Sequence, residues 1–306
     1  MSDAVARLRG PAAQAPVGRG PATAARTAPR DLTLLLMLPA VAMLVLMFLL
    51  PLALFFVRTF MEFDGTTAEF ITQAKNLLLS QPYLTALGTT NWIALIVTVT
   101  VLLIGYPVAY YLTTATGPGV SIVILSIVLP YFTSIIVRTF SWMVLLGEHG
   151  LINDLLRASG LIDHPLSLMY NRLGVLIGMS YVLLPYMVLT LYAAMRGIDA
   201  SLMRAAEGLG ASGFYAFRRV YFPLSLHGVL SGGLIVYILS VGYFITPALM
   251  GGQHDIMIAM LIDNSLEVAV DWPSAALMSL TLLVVTLVLY AVYYRVTDIR
   301  RLIGAR

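Results

Sequence analysis

The sequence has no cysteine, only one lysine and few charged side chains. Of its 306 residues, 11% are charged and 59% are hydrophobic. A soluble domain averages about 25% charged residues, so this composition excludes an ordinary soluble fold and predicts a membrane protein. The absence of cysteine excludes a disulfide framework, a thiol nucleophile and a cysteine metal site. The lysine, Lys75, follows no glycine-rich phosphate loop, so the sequence contains no recognisable motif for holding ATP.

Long uncharged runs define the expected membrane spans. A spanning helix needs about 20 predominantly apolar residues. The run from Asn76 to Val137 has no charged residue or histidine, which is enough for two helices. Gly117-Pro118-Gly119 disfavours continued helix and marks the turn between them. We therefore predict an all-α polytopic membrane protein with six transmembrane helices, at about 32–57, 87–113, 120–146, 173–196, 224–250 and 274–296.

The basic residues predict the orientation. Residues 1–30 are rich in Ala, Pro, Gly and Arg, which predicts a disordered tail before a transmembrane domain at 31–306. Of the 18 basic residues, 13 lie in this tail, in the loop around 196–219 or at the C-terminus. Basic loops stay cytoplasmic, so both termini are expected in the cytoplasm. The arginines are spread along these ends rather than gathered on one face, so no nucleic-acid partner is expected.

The loop at 199–223 is polar and punctuated by glycine, so it must lie outside the hydrocarbon. Asp199 or Ser201 can cap a short helix, and Gly210 suits a left-handed residue just past its end. One face of that helix carries an apolar stripe with helical spacing: Leu202, Ala205, Ala206 and Leu209. Arg204 and Glu207 lie one turn apart on a polar side. Another protein could dock on this stripe, or the helix could lie on its own domain or among lipid headgroups.

A second helix is expected after the first. Ser212 can cap it, and it would continue through Arg218 and Arg219 and enter the membrane near Pro223.

The order of residues in this loop resembles the cytoplasmic loop of ABC-importer permeases. That loop reads Glu-Ala-Ala, three residues, Gly, and later Pro. Here the corresponding residues are Arg204, Ala205, Ala206, Gly210 and Pro223, with Arg204 in place of the usual glutamate. Three further stretches resemble the spermidine/putrescine permease subgroup: Gly105-Tyr106-Pro107, Arg138-Thr139-Phe140-Ser141-Trp142 and Asp271-Trp272-Pro273.

This resemblance implies a type I ABC-importer permease fold in a bacterial inner membrane. It implies as partners two copies of a cytoplasmic ATP-binding subunit, a second permease subunit and an extracytoplasmic solute-binding protein. No cofactor is expected in this chain, because ATP is used by the partner subunit. The expected ATPase-docking residues are Leu202, Arg204, Ala205, Ala206, Glu207, Leu209, Gly210 and Pro223.

The solute pathway is less clearly marked. Arg138 is the only basic residue well inside a predicted span, where it could line a cavity, pair with an acid of the second permease or snorkel to the interface. The other candidate lining residues are aromatic: Tyr110, Tyr131, Trp142, Tyr186 and Tyr243.

The loop charges indicate a substrate class, and the charges within the spans argue against two rival functions. The outer loops carry ten acids against four bases, which favours a cationic solute such as a polyamine. An opine or another amino compound is the alternative cargo within the same subgroup. A secondary transporter would carry a mid-span Asp or Glu for ion coupling, and none of the predicted spans has one. A membrane enzyme would need converging acids, bases or metal ligands, whereas the histidines and acids here are scattered over loops.

Overall fold

A computed structural model describes residues 30–63 and 65–303. The regular elements of these residues are helical, in agreement with the predicted all-α class. The predicted tail lies outside the described residues except for Arg30, which begins the first helix.

The helices follow one another with short connections. In chain order they are α1 (Arg30–Glu62), α2 (Thr67–Leu78), α3 (Gln81–Thr114), α4 (Pro118–Val128), α5 (Ile135–Leu146), α6 (Leu151–Ala158), α7 (Arg172–Met195), α8 (Ala200–Gly208), α9 (Gly213–Ala216), α10 (Phe222–Val241), α11 (Ile245–Met250), α12 (Ile258–Glu267) and α13 (Trp272–Ile303). A 3₁₀ turn occupies Leu129–Phe132, and a π-helical turn occupies Phe217–Tyr221.

Six helical stretches of the described residues are long and apolar enough to cross a membrane. They are Met37–Val57, Gln81–Thr114, Ile135–Ala158, Arg172–Met195, Gly213–Val241 and Trp272–Arg295. The first, second, fourth and sixth match the predicted spans to within several residues.

The chain divides into two units, Met1–Phe55 and Phe56–Arg306. The described part of the first unit is the larger part of α1, whose big apolar side chains from Met37 onward are mostly exposed, as a lipid-facing helix requires. The second unit is built on α3, α7 and α10, which pack against one another along their length. Its core includes Ile93, Val97, Met187 and Leu191, all fully buried. Their burial positions the loop that leads from α7 to α10.

The third predicted span, 120–146, is wrong as a single helix. α4 ends at Val128, and Thr133 and Ser134 are extended, with ψ of 144° and 140°. Pro130 has no backbone N–H to continue a helix. Its carbonyl accepts hydrogen bonds from the Thr133 amide at 3.1 Å and the Thr133 hydroxyl at 2.8 Å. The apolar run is therefore divided into α4 and α5.

α4 and α5 together run along the bundle from one end towards the other. α4 lies beside α3, whose end is also close to the start of α10 through a Thr113–Tyr221 hydrogen bond of 3.1 Å. α5 lies beside α11, which follows the other end of α10, and Thr139 and Thr246 have hydroxyl oxygens 3.5 Å apart. α6 is separated from α5 by residues 147–150 and is a short amphipathic helix.

The fifth predicted span, 224–250, has the wrong bounds. The helical stretch begins earlier, at Gly213, and ends at Val241. The Gly242 amide donates to Ile238 and the Tyr243 amide to Ser240, so the helix tightens and stops there. α11 is a separate short helix after it.

Close packing of α7 and α10 gives a test of the fold. A Cβ at Gly228 would lie 2.6 Å from the Cβ of Ala194, whereas a Cβ at Gly233 would make an ordinary 3.9 Å contact with Thr98. We expect Gly228→Ala to destabilise the purified protein by about 1–3 kcal/mol through overpacking. Gly233→Ala is the matched control and should be neutral or stabilising, because alanine favours helix. Equal thermal stability of the two variants would contradict this packing of α7 on α10.

Candidate docking loop and polar pathway cluster

The helix predicted at the start of the 199–223 loop is present as α8. Asp199 caps it, with its carboxylate accepting the Ser201 amide at 2.8 Å, so Asp199 rather than Ser201 is the cap. Gly210 has φ of +88°, the left-handed conformation predicted for it. The Ala211 amide donates to the Ala206 carbonyl at 3.1 Å and closes the helix end.

The capping hydrogen bond also keeps Asp199 ionised. Donation by the Ser201 amide holds the pKa of Asp199 below its usual value. A carboxylate whose pKa is lower in the folded than in the unfolded protein stabilises the folded state fully at any pH above its unfolded-state pKa. That stabilisation is lost as the pH falls through its folded-state pKa. The cap is therefore intact at neutral pH.

α8 rests on its own subunit through one face and leaves the predicted stripe open. Met203 is half-buried and packs on the core cluster. Glu207 on the same side lines a cavity of about 380 Å³ beneath the helix. By contrast, Leu202 is 44% exposed, Ala205 is exposed and Leu209 is 89% exposed. Ala206, the fourth residue of the stripe, is half-buried. The stripe is therefore open at Leu202, Ala205 and Leu209, which favours docking by another protein or contact with lipid headgroups over packing on its own domain.

The second helix of the loop begins as predicted. The Ser212 hydroxyl accepts the Tyr215 amide at 3.4 Å, and helical structure then continues from Gly213 to Val241. The π-helical turn inside it was not predicted. It precedes Pro223, whose ring would clash with the carbonyl four residues back in a regular helix. The Phe222 amide bonds to the Phe217 carbonyl, five residues back, so the chain widens at this point.

Five rings join this widened turn to α3. We call Tyr106, Tyr110, Phe217, Tyr221 and Phe222 the aromatic cluster. The ring centroids of Tyr110 lie 5.0 Å from Tyr221 and 5.4 Å from Phe217, both edge to face. Tyr106 lies 6.3 Å from Phe217 and 6.0 Å from Phe222. Such edge-to-face pairs are each worth about 0.5–1.5 kcal/mol beyond their burial.

Two hydrogen bonds reinforce the aromatic cluster. The hydroxyl groups of Tyr106 and Ser225 lie 2.8 Å apart, and those of Thr113 and Tyr221 lie 3.1 Å apart. The loop is thus fixed to α3 as well as to α10. Of this cluster, the sequence predicts only Tyr110 as a pathway residue, and it lies here, beside the loop. The aromatic cluster could have been predicted in part from the sequence, because Tyr106 with Tyr110 and Phe217 with Tyr221 have the i, i+4 spacing that places side chains on one helix face.

Three of the other pathway residues lie around Arg138, and with it they form what we call the Arg138 cluster: Tyr131, Arg138, Tyr186 and Tyr243. The rings of Tyr131 and Tyr186 are 5.4 Å apart. Tyr131 lies in the turn just before α5, which carries Arg138, and Tyr243 lies just before α11, which packs against α5. Tyr186 belongs to the 24-residue α7, well away from both of its ends, which places the cluster deep in the bundle.

The Arg138 cluster sits where two helices are interrupted. Thr133 and Ser134 separate α4 from α5 beside it, and residues 242–244 separate α10 from α11. Irregular backbone at membrane depth persists only where it is buried in protein or lines a water-filled cavity. Tyr131 and Tyr186 are 39% and 37% exposed, so one side of the cluster is open. An arginine there costs about 2.5–3.5 kcal/mol on insertion scales, which argues against lipid exposure.

Trp142 lies apart from this cluster in its ring contacts. Its ring packs against Tyr181 at 5.3 Å, and it lines an apolar cavity of about 260 Å³ between α3, α5 and α7. The structure therefore groups four of the six candidate pathway residues and places Tyr110 and Trp142 elsewhere.

At the end of the bundle away from α8, an ion pair joins α7 to the loop before α12. Arg172 Nε donates to Asp255 Oδ1 at 3.0 Å, and the Asp255 side chain is only 5% exposed. The other carboxylate oxygen accepts the Gly252 amide at 3.2 Å. Sequence reasoning counted these residues only as loop charges, because 83 positions separate them.

Comparison with known proteins identifies the family of this chain. The sequence model of the family described as "Binding-protein-dependent transport system inner membrane component" matches residues 102–300. The chain belongs to this permease family. The match includes both the 199–223 loop and Arg138, and the family comprises transport permeases, not enzymes.

Individual permeases are similar over most of their length. The spermidine/putrescine transport system permease protein PotB of Haemophilus influenzae is 31% identical over 259 residues, which is 82% of this chain and 89% of the relative. PotB of Escherichia coli K12 is 33% identical over 218 residues, or 71% and 79% of the two chains. The inner membrane ABC transporter permease protein YdcU of E. coli K12 is 30% identical over 209 residues, or 63% and 66%.

A solved permease structure shows the same fold. It comes from a bacterial ABC transporter involved in the import of the acidic polysaccharide alginate. The TM-score is 0.65 at 18% identity, with 88% of this chain and 96% of the other covered. This agrees with the predicted ABC-importer permease fold.

Proposed function

We propose that this chain forms part of the pathway by which an ABC importer carries polyamines, spermidine or putrescine, across a bacterial inner membrane. The observation that carries the proposal is the 31% identity to a spermidine/putrescine permease over 89% of that protein's length. The acids of the outer loops support a cationic cargo, although Asp255 is already paired with Arg172. An opine or another amino compound is the alternative cargo.

Energy for transport comes, in this proposal, from a separate ATP-binding subunit present in two copies. Its docking surface is the open stripe of Leu202, Ala205 and Leu209, with Arg204, Glu207 and the turn at Gly210 around it. The exposure of large apolar side chains on a loop helix supports this, since such a surface is typical of a protein contact. ATP is bound by that partner, so this chain needs no cofactor.

The remaining partners follow from the same family. A second permease subunit completes the pathway, and an extracytoplasmic solute-binding protein delivers the cargo to the end of the bundle away from α8. Both termini and α8 then lie in the cytoplasm, in keeping with the 13 basic residues at those places.

Uptake by the complete transporter tests the cargo. Cells lacking other polyamine uptake should accumulate labelled putrescine when they express this chain with its partner subunits. Unlabelled spermidine or putrescine in large excess should suppress that uptake, and a neutral sugar should not. Competition by a sugar or an anion, without competition by polyamines, would contradict the cargo and leave the permease family untouched.

A further inference from the structure

The Arg138 cluster contains two buried donors without acceptors. Arg138 Nε is buried and has no hydrogen-bond partner among the described residues. The Tyr243 hydroxyl is likewise buried and has no hydrogen-bond partner among the described residues. Buried donors are nearly always satisfied, so these two call for acceptors that the described residues do not supply, either water or another molecule.

The chemistry of the surroundings identifies that acceptor. Tyr131 and Tyr186, whose rings are 5.4 Å apart, add two further hydroxyl groups to the cluster. α4, α5, α7, α10 and α11 contain no aspartate or glutamate that could neutralise it. A guanidinium with adjacent hydroxyl donors matches a carboxylate, which accepts several hydrogen bonds at once.

We propose that the Arg138 cluster is a binding site for a carboxylate deep in the membrane, held by Arg138 with Tyr243 as a second donor. The carboxylate belongs either to a side chain of the second permease subunit or to the cargo. A carboxylate from the second permease subunit rests on the proposed function. It also solves a problem of that function, because an unpaired arginine on the pathway repels a polyamine. A carboxylate from the neighbouring subunit removes that repulsion.

Variants of Arg138 in the complete transporter test the site. Arg138→Gln removes the charge, Arg138→Lys keeps it without the planar fork, and Arg157→Gln on the exposed side of α6 is the matched control. The probes are putrescine and ornithine, which differ by a carboxylate. Each variant is compared with the wild-type complex for labelled putrescine uptake, for inhibition by ornithine and for the amount of chain in the membrane.

Each source of the carboxylate predicts its own pattern. If the second permease supplies it, Arg138→Gln lowers putrescine uptake by at least about tenfold, Arg138→Lys lowers it less, and suppressors replace an acid of the second permease by a neutral residue. If the cargo supplies it, ornithine inhibits the wild type but not Arg138→Gln, while putrescine uptake is unchanged.

Two results would overturn the site. One is wild-type uptake and wild-type ornithine response in Arg138→Gln. The other is an equal loss of membrane-inserted chain in the Gln and Lys variants without suppressors in the second permease, which would assign Arg138 to packing. Failure of the wild-type complex to take up putrescine would instead contradict the proposed cargo, so the two failures are distinguishable.

Discussion

Replacing Ala205 by glutamate is expected to weaken association with the ATP-binding subunit by at least about tenfold and to abolish transport. Ala205 lies between Leu202 and Leu209 on the exposed stripe, where its small side chain lets another protein approach closely. A charged, longer side chain there would be desolvated without a partner. Since Ala205 is exposed in this subunit, the variant should still fold and insert. Ala206 is a poorer choice, because it is half-buried.

The control for this experiment is Ser201→Asp, which adds the same charge to α8 outside the stripe. Ser201 is exposed and lies in the first turn, where a negative charge favours the helix. Pull-down of the ATP-binding subunit and uptake should both be close to normal in this control. Normal ATPase recruitment by Ala205→Glu would exclude docking on the stripe and leave headgroup contact as its role.

Replacing Phe217 by alanine is expected to uncouple ATP hydrolysis from transport. Phe217 contacts Tyr106, Tyr110, Tyr221 and Phe222, so it is the centre of the aromatic cluster that joins the loop to α3. Without the Phe217 ring, movement of the loop should be transmitted less efficiently to the membrane spans. We expect the uptake per ATP hydrolysed to fall several-fold, as for a coupling loss of about 1–2 kcal/mol.

Graded substitutions separate coupling from docking. Phe217→Tyr keeps the ring and should keep coupling, whereas Tyr221→Phe loses only the hydrogen bond to Thr113 and should have a small effect. Recruitment of the ATP-binding subunit should be unchanged in all three variants, because the stripe on α8 is intact. If Phe217→Ala lowers recruitment and uptake in the same proportion, the aromatic cluster supports the docking surface and does not transmit motion.

The sequence predicts elements whose causes are local. Asp199, Gly210 and Ser212 cap or end helices through bonds to residues within a few positions, and all three do so in the structure. Four spans follow directly from long uncharged runs. Helix caps and long uncharged runs are sufficient to predict the all-α membrane class.

The errors come from features that composition does not record. Proline is common in transmembrane helices, so Pro130 did not by itself predict the break at Thr133 and Ser134. The break after Val241 falls at Gly242, but α10 contains three other glycines without a break, so glycine alone does not mark it. Contacts such as Arg172–Asp255, or Tyr131 with Tyr186, join residues far apart in the chain, and no pattern in a single sequence pairs them.

The central claim is that this chain is a permease subunit driven by a separate ATPase that docks on α8. Native mass spectrometry of the complex, purified through a tag on this chain, tests it most directly. We expect two ATP-binding subunits and one second permease with the wild-type chain, and retention of the permease alone with Ala205→Glu. Purification of the wild-type chain by itself, together with transport that does not require ATP, would contradict the account.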